Sequence, residues 1–153
     1  MYNKKVLQYF KNPRNFGKIK NPDGIGKVGN LICGDVMQLY IKVDKNKKGE
    51  EIIKDIKFEA YGCVAALASS SIITDLAKGK TIKQALKINQ KQMIDSLGVL
   101  PPVKTHCSVL AIDALSEAIY DYLIKNNKIV PKELEELHKR IENGKKIIEK
   151  RYK

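Results

Sequence analysis

The apolar residues change their period once along the chain, and that change limits the fold more than any other feature. In Val36 to Val43, Met37, Leu39, Ile41 and Val43 alternate with Gln38, Tyr40 and Lys42. In Ile52 to Tyr61, Ile56, Phe58 and Ala60 alternate with Asp55, Lys57 and Glu59. A period of two with one apolar face predicts half-buried strands. The charged segment Asp44 to Glu50 between them reads as a hairpin loop, and a short strand at 28–32 would complete an antiparallel sheet. From Cys63 onward the spacing becomes helical. Cys63 to Ala77 is rich in Ala and Leu and stops before Gly79. Thr81 and Gln84 are spaced as a capping box, residues 90–98 form a shorter helical piece, and Pro101-Pro102 is expected to impose an extended break. Beyond it, Ile112, Leu115, Ile119, Tyr122 and Leu123 share one helix face. A last helix opens at Pro131, with Leu134, Leu137, Ile141 and Ile148 on one stripe. Strands first and helices afterwards predict an α+β fold: a small three-stranded antiparallel sheet with helices on one face, plus an extra C-terminal helix.

The N-terminal part is less regular. Tyr2 to Lys11 is expected to form a short helix that ends at Asn12-Pro13. Residues 13–30 hold Gly17, Gly24, Gly26 and Gly29, with Pro13 and an Asn-Pro-Asp-Gly turn, and read as a loop-rich arm. A chain of 153 residues with 43% hydrophobic and 30% charged residues is globular in composition. No apolar run is long enough to span a bilayer. The N-terminal stretch carries no signal-peptide pattern, and three cysteines are too few for a disulfide scaffold. A reducing, cytoplasmic setting is the expectation. The net charge of +12 comes almost wholly from dispersed lysines; only Arg14, Arg140 and Arg151 are arginines, and there is no Trp. Nucleic-acid readers rely on Arg forks and stacking aromatics, so a solvated lysine surface, or one facing an acidic protein partner, is the better reading.

All three cysteines fall at boundaries between elements. Cys33 sits in Cys33-Gly34-Asp35, at a bend between strands. Cys63 ends a strand and opens a helix, and Cys107 opens another after the Pro-Pro break. Rigid elements aim such residues well, and a helix N-terminus favours the thiolate. Lys104 adds a nearby positive charge. The bland alternative is that each cysteine is a small core residue; Val-Ala-Ala-Leu-Ala after Cys63 is core-like company. Should the thiols converge, they select zinc, copper(I) or an iron–sulfur cluster. A permanent cluster normally takes four cysteines. Three are present here, so the fourth ligand would be Asp35 or His106, and the site would suit accepting and releasing a cluster. Tetrahedral zinc also fits such donors. His138, within a charged helical run, is expected on the surface.

Three segments give these positions a family resemblance. They are Asn30-Leu31-Ile32-Cys33-Gly34-Asp35-Val36-Met37, then Tyr61-Gly62-Cys63-Val64-Ala65-Ala66-Leu67-Ala68-Ser69-Ser70-Ser71, then Leu100-Pro101-Pro102-Val103-Lys104-Thr105-His106-Cys107-Ser108. With Pro13-Arg14-Asn15-Phe16-Gly17, they closely resemble the iron–sulfur cluster assembly scaffolds of the IscU type and the N-terminal domain of NifU. The likeness runs over residues 1–125, leaving 126–153 as a helical extension of the same domain.

The resemblance implies a non-enzymatic scaffold that builds a transient [2Fe–2S] cluster and passes it to apo iron–sulfur proteins. Cys33, Cys63 and Cys107 would be thiolate ligands. Asp35 would be the labile oxygen ligand, and His106 an alternative ligand, above all to Zn2+ in the cluster-free state. Sulfur would arrive as persulfide from a cysteine desulfurase, with Cys107 as the foremost acceptor. Leu100, Pro101, Pro102, Val103 and Lys104 would dock an Hsp70-type chaperone and its co-chaperone, through an extended, exposed Pro-Pro stretch. Two departures stand out. Val64 replaces a glycine common in the family, and the C-terminal helix is additional, expected to dock on the body or on a second copy in a homodimer. The alternative is a zinc-bound persulfide relay of the SufU type. That group carries an insertion before its third cysteine and lacks the preceding histidine; here His106 is present and 43 residues separate Cys63 from Cys107.

Overall fold

The computed structural model describes residues 2–30 and 34–151, without the side chains at positions 30, 103 and 147–151. Helix α1 (Lys4–Lys11) precedes three strands, β1 (Gly24–Asn30), β2 (Asp35–Lys45) and β3 (Glu51–Tyr61), which pair antiparallel in the order β1-β2-β3. Five helices follow: α2 (Val64–Ala77), α3 (Ile82–Ala85), α4 (Gln90–Leu97), α5 (His106–Lys125) and α6 (Lys132–Arg151). A 3₁₀ turn at Pro102–Lys104 leads into α5. The fold is the α+β arrangement that the change of period predicts.

The sheet buries the face carrying Met37, Leu39, Ile41, Ile56 and Phe58, where register sets Leu39 opposite Phe58 and Ile41 opposite Ile56. Helices α2 and α5 cover that face. A register shift at Lys42/Val43 resets the alternation, so Ile53 is buried as well as Ile56, three positions apart. The strict two-residue pattern misses Ile53 for this reason. Tyr40, expected to face outward, is buried too. Its hydroxyl donates to Glu59 Oε1 at 2.7 Å, and burial followed by that carboxylate raises its pKa to about 12.

The glycine-rich arm is where sequence reasoning misplaces structure. Residues 24–30 are strand β1, not loop, and β1 starts four residues before the expected strand at 28–32; positions 31 and 32 lie outside the described residues. The glycines are there for contact. A Cβ on Gly24 would sit 2.2 Å from the Ala118 carbonyl oxygen, and one on Gly26 2.1 Å from that of Ala114. Helix α5 thus lies directly on the β1 backbone, a closeness only glycine permits. Asp121 adds a tie, its Oδ2 accepting from the Ile25 amide at 2.9 Å.

The preceding segment closes the other side of the sheet. The Phe58 amide donates to the Asn15 carbonyl at 2.9 Å, and Gly17 donates to the Phe58 carbonyl at 2.8 Å. Asn15 takes a left-handed φ of 61°, and its amide side chain donates to Thr74 Oγ1 and Asp75 Oδ1 on α2. Ser71 Oγ accepts from the Arg14 amide at 2.7 Å. The Ser-rich face of α2 therefore holds the Pro13–Gly17 segment against β3.

Of the remaining caps, only the Thr81–Gln84 box was expected from the sequence. Asn3 caps α1, and Thr81 with Gln84 forms a capping box. Asn89 with Gln92 forms another at α4. The Pro-Pro segment differs: Pro101 is extended, but 102–104 coils into a 3₁₀ turn. Pro102 opens that turn, where its fixed φ suits a helical conformation and its missing N–H costs nothing. Helix α6 seats Leu134 in the core with Leu137 and Ile141 half-buried; the Ile148 side chain lies outside the description. His138 is not on the open surface: it stacks on Tyr120 with ring centroids 3.8 Å apart and bonds Glu117 on α5.

Replacing Gly26 by Ala drives a methyl group into the Ala114 carbonyl. It should cost at least the upper part of the roughly 1–3 kcal/mol typical of overpacking. Gly144→Ala, in open space within α6, should instead be neutral or stabilising by up to about 1 kcal/mol. Urea denaturation of both variants checks this; equal midpoints would refute the backbone contact.

Candidate metal and thiol site

The site forms where β2 begins and where α2 and α5 begin. The register that pairs Asn30 with Asp35 sets Asp35 at the first position of β2. Gly34, with φ 76°, leads into it. Asp35 is 1% exposed. Its Oδ1 accepts from the Cys63 amide at 3.1 Å. Its Oδ2 lies 3.4 Å from Cys107 Sγ and 3.7 Å from Cys63 Sγ. Gly62 makes room for this carboxylate: a Cβ there would stand 2.1 Å from Oδ1, and φ is +156°. Any side chain at 62 would displace Asp35.

Cys63 caps the N-terminus of α2 in extended conformation, and Cys107 is the second residue of α5. Their sulfurs are 3.7 Å apart. His106 Nε2 lies 3.6 Å from Cys107 Sγ and 3.8 Å from Asp35 Oδ2. The four donors form two triangles that share the Asp35–Cys107 edge, with Cys63 at one apex and His106 at the other. Bonds of about 2.0–2.3 Å to zinc imply tetrahedral edges of roughly 3.3–3.8 Å. Both triangles have sides in that range, so either set of three could hold one tetrahedral ion. Cys33, the remaining candidate ligand, lies outside the described residues.

Electrostatics departs from the sequence reading in one respect. Helix N-termini were expected to lower the thiol pKa at Cys63 and Cys107. At Cys107 the thiol is instead pushed well up, by burial first, then by the Cys63 charge and by hydrogen bonds with Cys63 and Asp35. The sulfur is buried completely, and desolvation of a thiolate outweighs the helix dipole. Lys104 was expected to act on Cys107. Its raised pKa traces first to Cys63, and Cys107 contributes less.

The segment from Leu100 to Lys104 is not the extended, exposed stretch that was expected. Leu100 is buried in the core. Pro101 and Lys104 are half-exposed and Pro102 is exposed, while the Val103 side chain lies outside the description. The Lys104 amide donates to the Pro101 carbonyl at 2.8 Å. Sequence reasoning also passed over Tyr2 and Gly62. Burial raises the Tyr2 pKa, with the Cys63 charge next and Lys104 opposing. Nothing in the sequence marks Tyr2 as a neighbour of the thiols. For Gly62 the signal is its place directly before Cys63. Exposed Tyr61 and Val99 flank these segments.

Comparison with known proteins fits this arrangement. The family model described as NifU-like N terminal domain matches residues 1–129, and the chain belongs to that family. It is 52% identical to the iron–sulfur cluster assembly scaffold protein IscU 1 of Archaeoglobus fulgidus, over 91% of this chain and 92% of that protein. With the corresponding IscU of Azotobacter vinelandii it shares 49% identity, over 84% of this chain and 98% of that protein. A crystal structure from Fervidobacterium islandicum, described as a candidate scaffold protein for the SUF system, superposes with a TM-score of 0.63. It is 25% identical and covers 77% of this chain and 96% of that one.

The raised Cys107 pKa gives a pH prediction. The thiol keeps its proton through neutral pH, and metal binding needs the thiolate. Zinc binding should therefore release at least the Cys107 proton, and zinc affinity should rise by about tenfold per pH unit for each proton released. Titration calorimetry at pH 6.5, 7.2 and 8.0 in buffers of different ionisation enthalpy measures both. An affinity flat across this range would show that Cys107 does not bind as thiolate.

Proposed function

We propose that the chain is a non-enzymatic carrier on which an iron–sulfur cluster of the [2Fe–2S] type is assembled and from which it is handed to apo-proteins. The observation that carries this reading is the meeting of two thiols, one buried carboxylate and one imidazole within 3.4–3.8 Å contacts. The relatives' names as cluster assembly scaffold proteins support it. In this reading Cys63, Cys107 and Cys33 are the thiolate ligands, and Asp35 is the exchangeable oxygen ligand. A carboxylate is a harder donor than a thiolate and holds iron less firmly. Asp35 is also bound to the Cys63 amide, so its release from iron need not leave it unpaired. Residues 1–125 act as the carrier domain and 126–153 as its helical extension.

Sulfur reaches the site as persulfide from a cysteine desulfurase, with Cys107 as acceptor. The 3.7 Å separation of the sulfurs allows relay through Cys63. Leu100 to Lys104 docks an Hsp70-type chaperone, chiefly through the exposed Pro102 and half-exposed Lys104. Among the described residues no helix is long and apolar enough to cross a membrane, and reduced thiols suit the cytoplasm. When no cluster is bound, Cys63, Cys107, Asp35 and His106 take Zn2+. The triangle geometry favours this, and it is also what supports the second reading, a zinc-bound persulfide relay. Metal content after turnover separates the two: iron with acid-labile sulfide for the carrier, zinc retained throughout for the relay.

Two variants test the residue roles. Asp35→Ala should hold its reconstituted cluster longer and transfer it more slowly, followed by the visible spectrum of an apo-ferredoxin acceptor. Transfer at the parental rate would remove Asp35 from the release step. Cys107→Ser should lose desulfurase-dependent persulfide labelling in mass spectra, and undiminished labelling would move the acceptor to Cys63 or Cys33.

A further inference from the structure

A second cluster of ligating side chains lies between α5 and α6, built from different residues than the thiol site. Glu117 projects from α5 and is 6% exposed. His138 and Glu142 stand four residues apart on α6, so they share one face of the helix. Their ligating atoms and that of Glu117 all lie within 4.8 Å of one another. His138 Nδ1 is 2.7 Å from Glu117 Oε2, and the imidazole is held flat against Tyr120, 12° from parallel. The stacking on Tyr120 therefore holds the plane of the ring whether or not a ligand occupies Nδ1.

The charges around this cluster favour a further cation. A buried carboxylate is costly without a counter-charge. Among the described residues no lysine or arginine lies within ion-pair distance of Glu117; its partner there is His138. Glu142 brings a second carboxylate and shares it with Lys145 at 3.5 Å. Asp113, one turn before Glu117 on α5, adds a third, with its pKa raised to about 6 by burial against the opposing effect of Arg140. The hydrogen bond to His138 engages only Glu117. A divalent ion would engage both Glu117 and Glu142 and the ring nitrogen together.

We propose that Glu117, His138 and Glu142 bind a divalent first-row transition ion of the Fe2+ or Zn2+ class, which fastens α6 to α5. One nitrogen and two oxygen donors suit these ions and disfavour copper(I), in contrast to the soft thiol site. The ion takes the place between His138 and Glu117 now bridged by their hydrogen bond, and solvent fills the remaining coordination positions.

The test uses the full-length chain with Zn2+ as probe. Equilibrium dialysis followed by elemental analysis should find one more zinc per chain in the parent than in Glu142→Gln or His138→Gln. Glu142→Gln keeps the His138–Glu117 bond, so it reports on the metal even if His138→Gln loosens α6. Its affinity at this site should fall by roughly tenfold or more. Co2+ gives a second readout. The parent should show d–d bands from two sites, and Glu142→Gln should lose one set while keeping thiolate-to-cobalt charge transfer. The Cys63→Ser/Cys107→Ser double variant, which removes a donor from both triangles, should do the reverse. Equal zinc counts in parent and Glu142→Gln, with all bound zinc lost in the Cys63→Ser/Cys107→Ser double variant, would overturn the proposal and leave the cluster as a hydrogen-bonded helix contact.

Discussion

Asp35 is a buried carboxylate that joins three elements at one point. Its oxygens meet the backbone amide at the start of α2 and the sulfurs of Cys63 and Cys107. No hydrophobic contact could fix these elements so closely, because it takes a short side chain with acceptor oxygens to bind an amide and face two thiols together. The surrounding structure accommodates this one group. Gly62 gives up its side chain for it, and β1 pairs opposite it through Asn30. Helix α5 brings Cys107 to it by lying on the glycines of β1. A buried charge stabilises only where it is fully partnered, so the same group makes the site sensitive to whatever occupies the thiols.

The thiols differ in kind although the sequence treats them alike. Cys107 is enclosed, and burial holds it as the neutral thiol. Cys63 is half-exposed at a helix cap, and it is the neighbour to which Lys104 couples most. An incoming sulfur donor therefore meets Cys63 at the surface before it meets Cys107. Burial and a raised pKa both count against Cys107 as the first acceptor, whereas the proposed function gives it that role, which is why the labelling of each cysteine has to be measured separately.

Much of this was legible in the residue order. The switch of period at Cys63 separates sheet from helices, and the Thr81–Gln84 capping box lies where its spacing puts it. Of the residues singled out at element boundaries, Cys63, Asp35, His106 and Cys107 lie together, while Cys33 lies outside the described residues. What escaped reading was governed by tertiary contact. Gly24 and Gly26 look like loop residues until α5 is laid on them. Ile53 follows from a bulge that no pattern announces. The Pro-Pro segment coils because Pro102 is a good opening residue for a turn, and His138 is drawn in by Glu117, twenty-one positions away. The dipole argument failed at Cys107 because local sequence says nothing about depth of burial.

The segment around Asn15 has an effect on recognition. Phe58 in β3 has both its amide and its carbonyl engaged by Asn15 and Gly17, and Asn15 is itself pinned to α2. An extended peptide seeking to add a strand alongside β3 would find that stretch of backbone already paired. Partners on that side must therefore read side chains and helix faces. Such contacts can form and dissolve without unzipping a ladder of backbone hydrogen bonds.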